Sequence, residues 1–137
     1  MTVRLNPYLS FRNSARAAMT FYHSVFGGDL QLMTFGEQGM DDPAEADKIM
    51  HGQLTAPGNI TLMGADTPNS MELADASNIS VSLSGDDEPA LQGYWDKLII
   101  GGTPLTPLAQ APWGDKFGML RDRFGVTWLV NIAGPAA

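Results

Sequence analysis

Hydrophobic positions change their period several times along the chain, and each change marks an element. Residues 5–11 (LNPYLSF) predict a short first strand. From Asn13 onward, Ala15, Ala18, Met19, Tyr22, Val25 and Phe26 fall on one helical face. Asn13 or Ser14 can cap this helix, because a short side-chain oxygen accepts from the free N–H groups of the first turn. Gly27-Gly28 ends it, since glycine takes a left-handed conformation at little cost. Residues 30–35 predict a strand and residues 36–47 an acidic, mobile loop. Residues 49–55 and 60–63 predict a hairpin that turns at Pro57-Gly58-Asn59. Residues 67–77 read as a linker.

The second half repeats this order. Residues 78–84 (NISVSLS) place Ile79, Val81 and Leu83 on one strand face, with Asn78, Ser80, Ser82 and Ser84 on the other. Asp86-Asp87-Glu88-Pro89 suits a helix start, where the dipole favours acids and proline lacks only an N–H that would be unpaired anyway. Leu91, Trp95, Leu98 and Ile99 form the buried stripe, and Gly101-Gly102 ends the helix. Residues 105–108, interrupted by prolines, predict an edge or irregular strand. Residues 117–122 and 127–132 are two strands joined at Arg123-Phe124-Gly125. Each half reads strand, capped helix, Gly-Gly, then three strands. A unit of that length cannot bury its own sheet face, so two units are expected to combine their sheets around a shared concavity. A ferredoxin-like arrangement would place its second helix after only two strands, against the three seen here.

Composition narrows the function. The 137 residues carry 15 acidic and 8 basic side chains, a formal net charge of −7. The basic residues are scattered, so no patch suits phosphates, which argues against nucleic acid and anionic membrane as partners. With no cysteine, disulfides, Cys-ligated zinc, iron–sulfur clusters and thiol nucleophiles are all excluded. The first residues lack a signal-type apolar segment, and no apolar run approaches the roughly 18 residues needed to span a bilayer. A cytoplasmic protein is expected.

Three stretches resemble a known family. They are Pro7-Tyr8-Leu9-Ser10-Phe11 with Ala17-Ala18-Met19-Thr20-Phe21-Tyr22 and Val25-Phe26-Gly27-Gly28; His51-Gly52-Gln53-Leu54; and Trp113-Gly114-Asp115-Lys116-Phe117-Gly118-Met119 running into Asp122-Arg123-Phe124-Gly125-Val126-Thr127-Trp128. In order and spacing they resemble the vicinal oxygen chelate superfamily (glyoxalase I, bleomycin- and fosfomycin-resistance proteins, extradiol dioxygenases), and within it the PhnB-like branch. The resemblance implies an α+β fold, with two paired βαβββ modules forming a cup-shaped, mostly antiparallel sheet. It implies one domain over residues 1–137, made of modules 1–68 and 76–137, and a homodimer.

Metal-dependent members draw His and Glu ligands from the first and last strands of each module. Carried over residue by residue, those positions fall at Pro7 or Asn6, Gln53, Asn78 and Leu129. That set has no carboxylate and no imidazole, and amide oxygens are weak ligands. No metal site and no cofactor are therefore expected, although a divalent metal at a displaced site stays open. Members of the branch carry inherited names such as methyltransferase-like, yet the chain has no motif for binding a methyl donor.

His51 shares a strand face with Gln53 and Thr55. It reads as a general base, a donor to ligand or one ligand of a non-standard metal site, or else as a structural histidine bonded within the sheet. A metal there would need carboxylates from Glu37, Asp41, Asp42 or Glu72. His23 lies off the helix stripe and reads as exposed. The Asn78, Ser80, Ser82 face either lines the cup, leaving room for a ligand, or faces solvent. Trp113, in a loop of Pro and Gly, is a lid or stacking surface for an aromatic ligand, or a plug for the core or dimer interface. Trp128 reads as core, and the scattered methionines as core filling. Three functions follow. The first is a binder of a small apolar or aromatic molecule in the cup, with ligand contacts from Gln53, Thr55, Asn78, Ser80, Ser82, Trp113 and Leu129. The second is a metal-dependent lyase, isomerase or dioxygenase with His51 as the catalytic residue. The third is an interaction protein with a vestigial cup.

Overall fold

The helical face read from the first half becomes α1 (Ala15–Phe26), and all six of its expected apolar residues are buried. Burying a side chain of the size of Met19, Tyr22 or Phe26 contributes roughly 1.5–3 kcal/mol. The computed structural model describes residues 3–40, 42–73 and 77–134. The chain forms two units, 1–75 and 76–137.

In the first unit, β1 (Tyr8–Phe11), β2 (Asp29–Thr34), β3 (Ile49–Ala56) and β4 (Ile60–Asp66) make one sheet in the order β1-β4-β3-β2. The β1–β4 pair is parallel and the other two pairs are antiparallel. Helix α1 packs on β2, β3 and β4. Leu54, Leu62 and Phe11 are buried beneath it, so the alternate positions point away from the helix.

The second unit repeats the plan. Its strands are β5 (Val81–Gly85), β6 (Thr103–Gln110), β7 (Lys116–Arg121) and β8 (Thr127–Ile132), in the order β5-β8-β7-β6. Helix α2 (Glu88–Leu98) packs on β5 and β8 and buries Leu91, Trp95 and Leu98. Ile99, expected in that stripe, is the half-buried C-cap. Trp128 is core, with its indole N–H donating to Asp122 at 2.9 Å. The edge strand β6 breaks its register with β7 twice, as its prolines require.

Several expectations need correction. Strand β1 begins at Tyr8 rather than at residue 5: Pro7 has no N–H to donate and adds only its carbonyl, which accepts from Met63 N at 3.1 Å. Strand β5 begins at Val81 rather than at residue 78. Its parallel partner β8 begins at Thr127, and Val81 already pairs with Trp128, so Asn78 and Ser80 have no neighbour to pair with and precede the strand. Neither Asn13 nor Ser14 caps α1. Ser14 is the N-cap without a side-chain bond, and Asp66 Oδ1 accepts from Ala15 N at 2.9 Å instead. At α2 the expected acidic start holds, with Asp87 accepting from Ala90 N at 3.1 Å.

The acidic loop is tied down rather than solvated throughout. It contains a short 3-10 turn (Gly36–Gln38), and Glu45 is buried. Glu45 accepts from Asn69 N at 3.1 Å and pairs with Lys48 at 3.1 Å. The Asn69 bond first, and Lys48 second, hold its carboxyl below the usual range. Part of the expected linker is fixed as well: the Arg12 guanidinium donates to the carbonyls of Thr67, Pro68 and Met71. Asp41 lies outside the described residues, as do residues 74–76 of that linker.

Candidate functional site

Each sheet has one face under its helix and one face free of it, and of the expected site residues His51, Gln53, Thr55, Ser82 and Leu129 fall on the helix-free faces, while Asn78, Ser80 and Trp113 lie outside the strands. On the first sheet, burial alternates along β3: Gly52, Leu54 and Ala56 are buried, while His51 and Gln53 are half-buried and Thr55 is exposed. His51, Gln53 and Thr55 therefore share the helix-free face, as the spacing predicted. Register sets their neighbours. His51 pairs with Met33, and Gln53 stands between Gln31 on β2 and Met63 on β4. Met63 in turn pairs with Tyr8. The Tyr8 hydroxyl lies 3.1 Å from His51 Nδ1, a contact that spans β4. Partial burial raises the Tyr8 phenol above its usual pKa.

On the second sheet, Ser82, Leu129, Met119 and Thr106 form one row across all four strands. In the next row Phe117 pairs with Asn131. Trp113 is 63% exposed and its ring lies 5.9 Å from that of Phe117, tilted by 60°. The loop that carries it is pinned by Asp115, which accepts from Asn131 Nδ2 at 3.0 Å and from Gly134 N at 2.8 Å. Those two bonds, Asn131 first, hold the Asp115 carboxyl below its usual 3.8. A depressed folded-state pKa stabilises above the unfolded value, and that contribution is lost as pH falls through the folded one. Unfolding by urea at pH 6 and pH 3 should therefore show less acid sensitivity in Asp115→Asn than in the natural chain. Equal sensitivity would contradict the pinning.

Sequence reasoning missed Tyr8, Phe117, Met119 and Asn131 as face residues. Tyr8 could have been found, because it stands two residues from Asn6, one of the two first-strand positions the resemblance points to, and residues two apart share a strand face. His23 is half-buried rather than exposed, and its Nε2 lies 2.9 Å from the Gly28 carbonyl. Asn78 and Ser80 are exposed ahead of β5. Glu37 and Asp42, two of the proposed displaced carboxylates, serve their own loop: each bonds a backbone N–H of residues within three positions of it. Glu72 is exposed.

Among the described residues, no three His, Asp or Glu groups converge to hold a metal. The mapped set, Gln53, Asn78, Leu129 and Pro7 or Asn6, does not fit a divalent ion by its donor chemistry. The larger surface groove, about 710 Å³, lies at the start of α1 among Arg16, Asp47, Lys48 and Asp66. It holds none of the expected site residues, and its Lys48 and Asp66 are already bonded elsewhere. Among the described residues no helix is long and apolar enough to cross a membrane.

Two βαβββ units of this order define an α+β protein with the glyoxalase/bleomycin-resistance/dioxygenase fold. A glyoxylase/bleomycin resistance/dioxygenase domain from Frankia shares the fold, with a TM-score of 0.63 and 13% identity over 98% of this chain and 99% of that one. The chain belongs to the family described as 3-demethylubiquinone-9 3-methyltransferase, whose model matches residues 3–131. The crystal structure of protein PA1353 from Pseudomonas aeruginosa is similar at 33% identity and a TM-score of 0.86, covering 96% of this chain and 98% of that one. Protein YjdN of Escherichia coli K12 is 27% identical over 93% of this chain and 94% of its own.

Proposed function

We propose that the chain binds a small apolar or aromatic molecule on the helix-free face of its second sheet, without the metal tetrad of the superfamily's metal-dependent members. The observation that carries this reading is the Trp113–Phe117 pair. A large ring left 63% exposed packs at a tilt of 60° against Phe117, on a face that continues through the half-buried Met119 and Leu129. Exposed aromatic surface of this kind favours a flat ligand that covers it. Ser82, beside Leu129, adds a hydroxyl that can orient such a ligand. Methyl transfer, which the family's description names, is outside this reading, since the sequence offers no donor-binding motif.

A panel of fused-ring aromatic compounds, followed by thermal shift, tests it. A compound that binds the folded state raises the melting temperature, and the rise grows with the logarithm of its concentration over Kd. Trp113→Ala should weaken that compound up to about tenfold, the scale of one aromatic stacking contact. A panel with no stabilising member, or one whose binding ignores Trp113→Ala, would overturn the reading.

A further inference from the structure

The helix-free face of the second sheet is apolar in its middle and charged at one end. Along β7, Phe117, Met119 and Arg121 share that face, while Gly118 and Leu120 are buried on the other. Register places Arg121 between Thr103 on β6 and Thr127 on β8, so one row offers a guanidinium flanked by two hydroxyls. The row beside it is the one through Met119 and Leu129. Phe117, with the Trp113 ring against it, stands four residues from Arg121, about 13 Å along the strand.

Arg121 is exposed, and among the described residues it has no acid or carbonyl partner. Its neighbours in sequence are committed: Lys116 pairs with Glu88, and Arg123 donates to the Ile100 carbonyl. The carboxylates of this unit belong elsewhere. Asp87 and Glu88 open α2, and Asp115 is held in the Trp113 loop by Asn131 and Gly134. Asp122 is buried and taken up by the N–H groups of Phe124, Val126 and Trp128. The face is therefore graded, with rings and Asp115 at one end and an unopposed cation at the other. A neutral ring leaves that cation unused, and a cationic molecule is repelled by it. A phosphate brings two charges to one guanidinium in a chain of net charge −7. A carboxylate brings one charge, and its two oxygens match the guanidinium fork. We infer that the molecule bound on this face is an aromatic carboxylic acid, with its rings at Trp113 and Phe117 and its carboxylate at Arg121, between the Thr103 and Thr127 hydroxyls. Two fused rings and the length of an arginine side chain cover the separation. This rests on the binding reading above and adds to it the acid group recognised.

Titration with 2-naphthoate and with 2-naphthamide, its neutral isostere, followed at the Trp113 indole N–H, tests it. The acid should bind about fivefold more tightly at about 20 mM salt, the upper range for one exposed ion pair. That preference should shrink at about 0.5 M salt, where such a pair is screened. Arg121→Gln should bring the acid to the level of the amide. Arg121→Lys keeps the charge without the fork and should retain part of the preference. Equal binding of the two compounds at low salt, or a preference that survives Arg121→Gln, overturns this inference and leaves aromatic binding standing. If neither compound moves the Trp113 signal, aromatic binding on this face fails and this inference fails with it.

Discussion

Gly28→Ala is expected to remove about 3 kcal/mol of stability, the sum of a left-handed residue acquiring a side chain and an overpacked contact. Gly28 has φ +83°, and a Cβ placed on it would stand 2.2 Å from the Thr55 carbonyl oxygen and 2.6 Å from Ala56 Cα. Both atoms are backbone of β3, so no side chain can swing aside. Gly102 occupies the same place in the second unit, where a Cβ would stand 2.4 Å from the Arg121 carbonyl oxygen on β7. In each unit the chain leaves its helix and passes hard against the end of the first strand of the hairpin that follows, beside its turn. The repeated Gly-Gly pair is thus a packing requirement met twice. Gly93→Ala in α2 serves as the contrast. It meets nothing within 4 Å and should gain up to about 1 kcal/mol from helix propensity. Urea unfolding of the two variants checks the ranking. Gly28→Ala unfolding as late as the natural chain would contradict the close approach.

Asp66→Ala should cost a similar amount, about 3 kcal/mol, because it leaves two buried backbone donors without an acceptor. Asp66 is 5% exposed. Its Oδ1 takes the Ala15 N–H that opens α1, and its Oδ2 takes the Ile49 N–H that opens β3, both at 2.9 Å. One carboxylate therefore ties the helix to the strand that carries His51 and Gln53. Asp66→Asn keeps one acceptor oxygen and should lose about half as much. Hydrogen exchange at the Ala15 and Ile49 amides localises the effect. Protection there that is unchanged in Asp66→Ala would contradict the role assigned to it.

Much of this was legible from the sequence, for physical reasons. Amphipathic periods are set by which side chains must leave water, so the six buried residues of α1 and the alternation of β3 follow from local pattern alone. The Gly-Gly echo gave the repeat, and the repeat gave the fold. Long-range choices were hidden. Ser14 looks like a cap, but the Ala15 N–H goes instead to the buried Asp66, 51 positions further on in sequence than Ala15. Residues 78–80 alternate like a strand, yet strand length is decided by the partner, and β8 starts too late to pair with them. Glu45 reads as one acid in a solvated run, and only the fold brings Asn69 N and Lys48 to it. The Tyr8–His51 pair is hidden for the same reason: it depends on β4 standing between β1 and β3, an order that no local pattern encodes.

The most direct test of small-molecule binding is a nitrogen-15 correlation spectrum of the natural chain, recorded as a stabilising aromatic compound from the panel is added. The expected result is movement of the Trp113 indole N–H and of the Phe117, Met119 and Leu129 amides, with the amides of α1 and α2 unmoved. No movement at those four residues, or movement confined to the groove beside Arg16 and Lys48, would contradict the assignment of the second sheet's helix-free face as the binding surface.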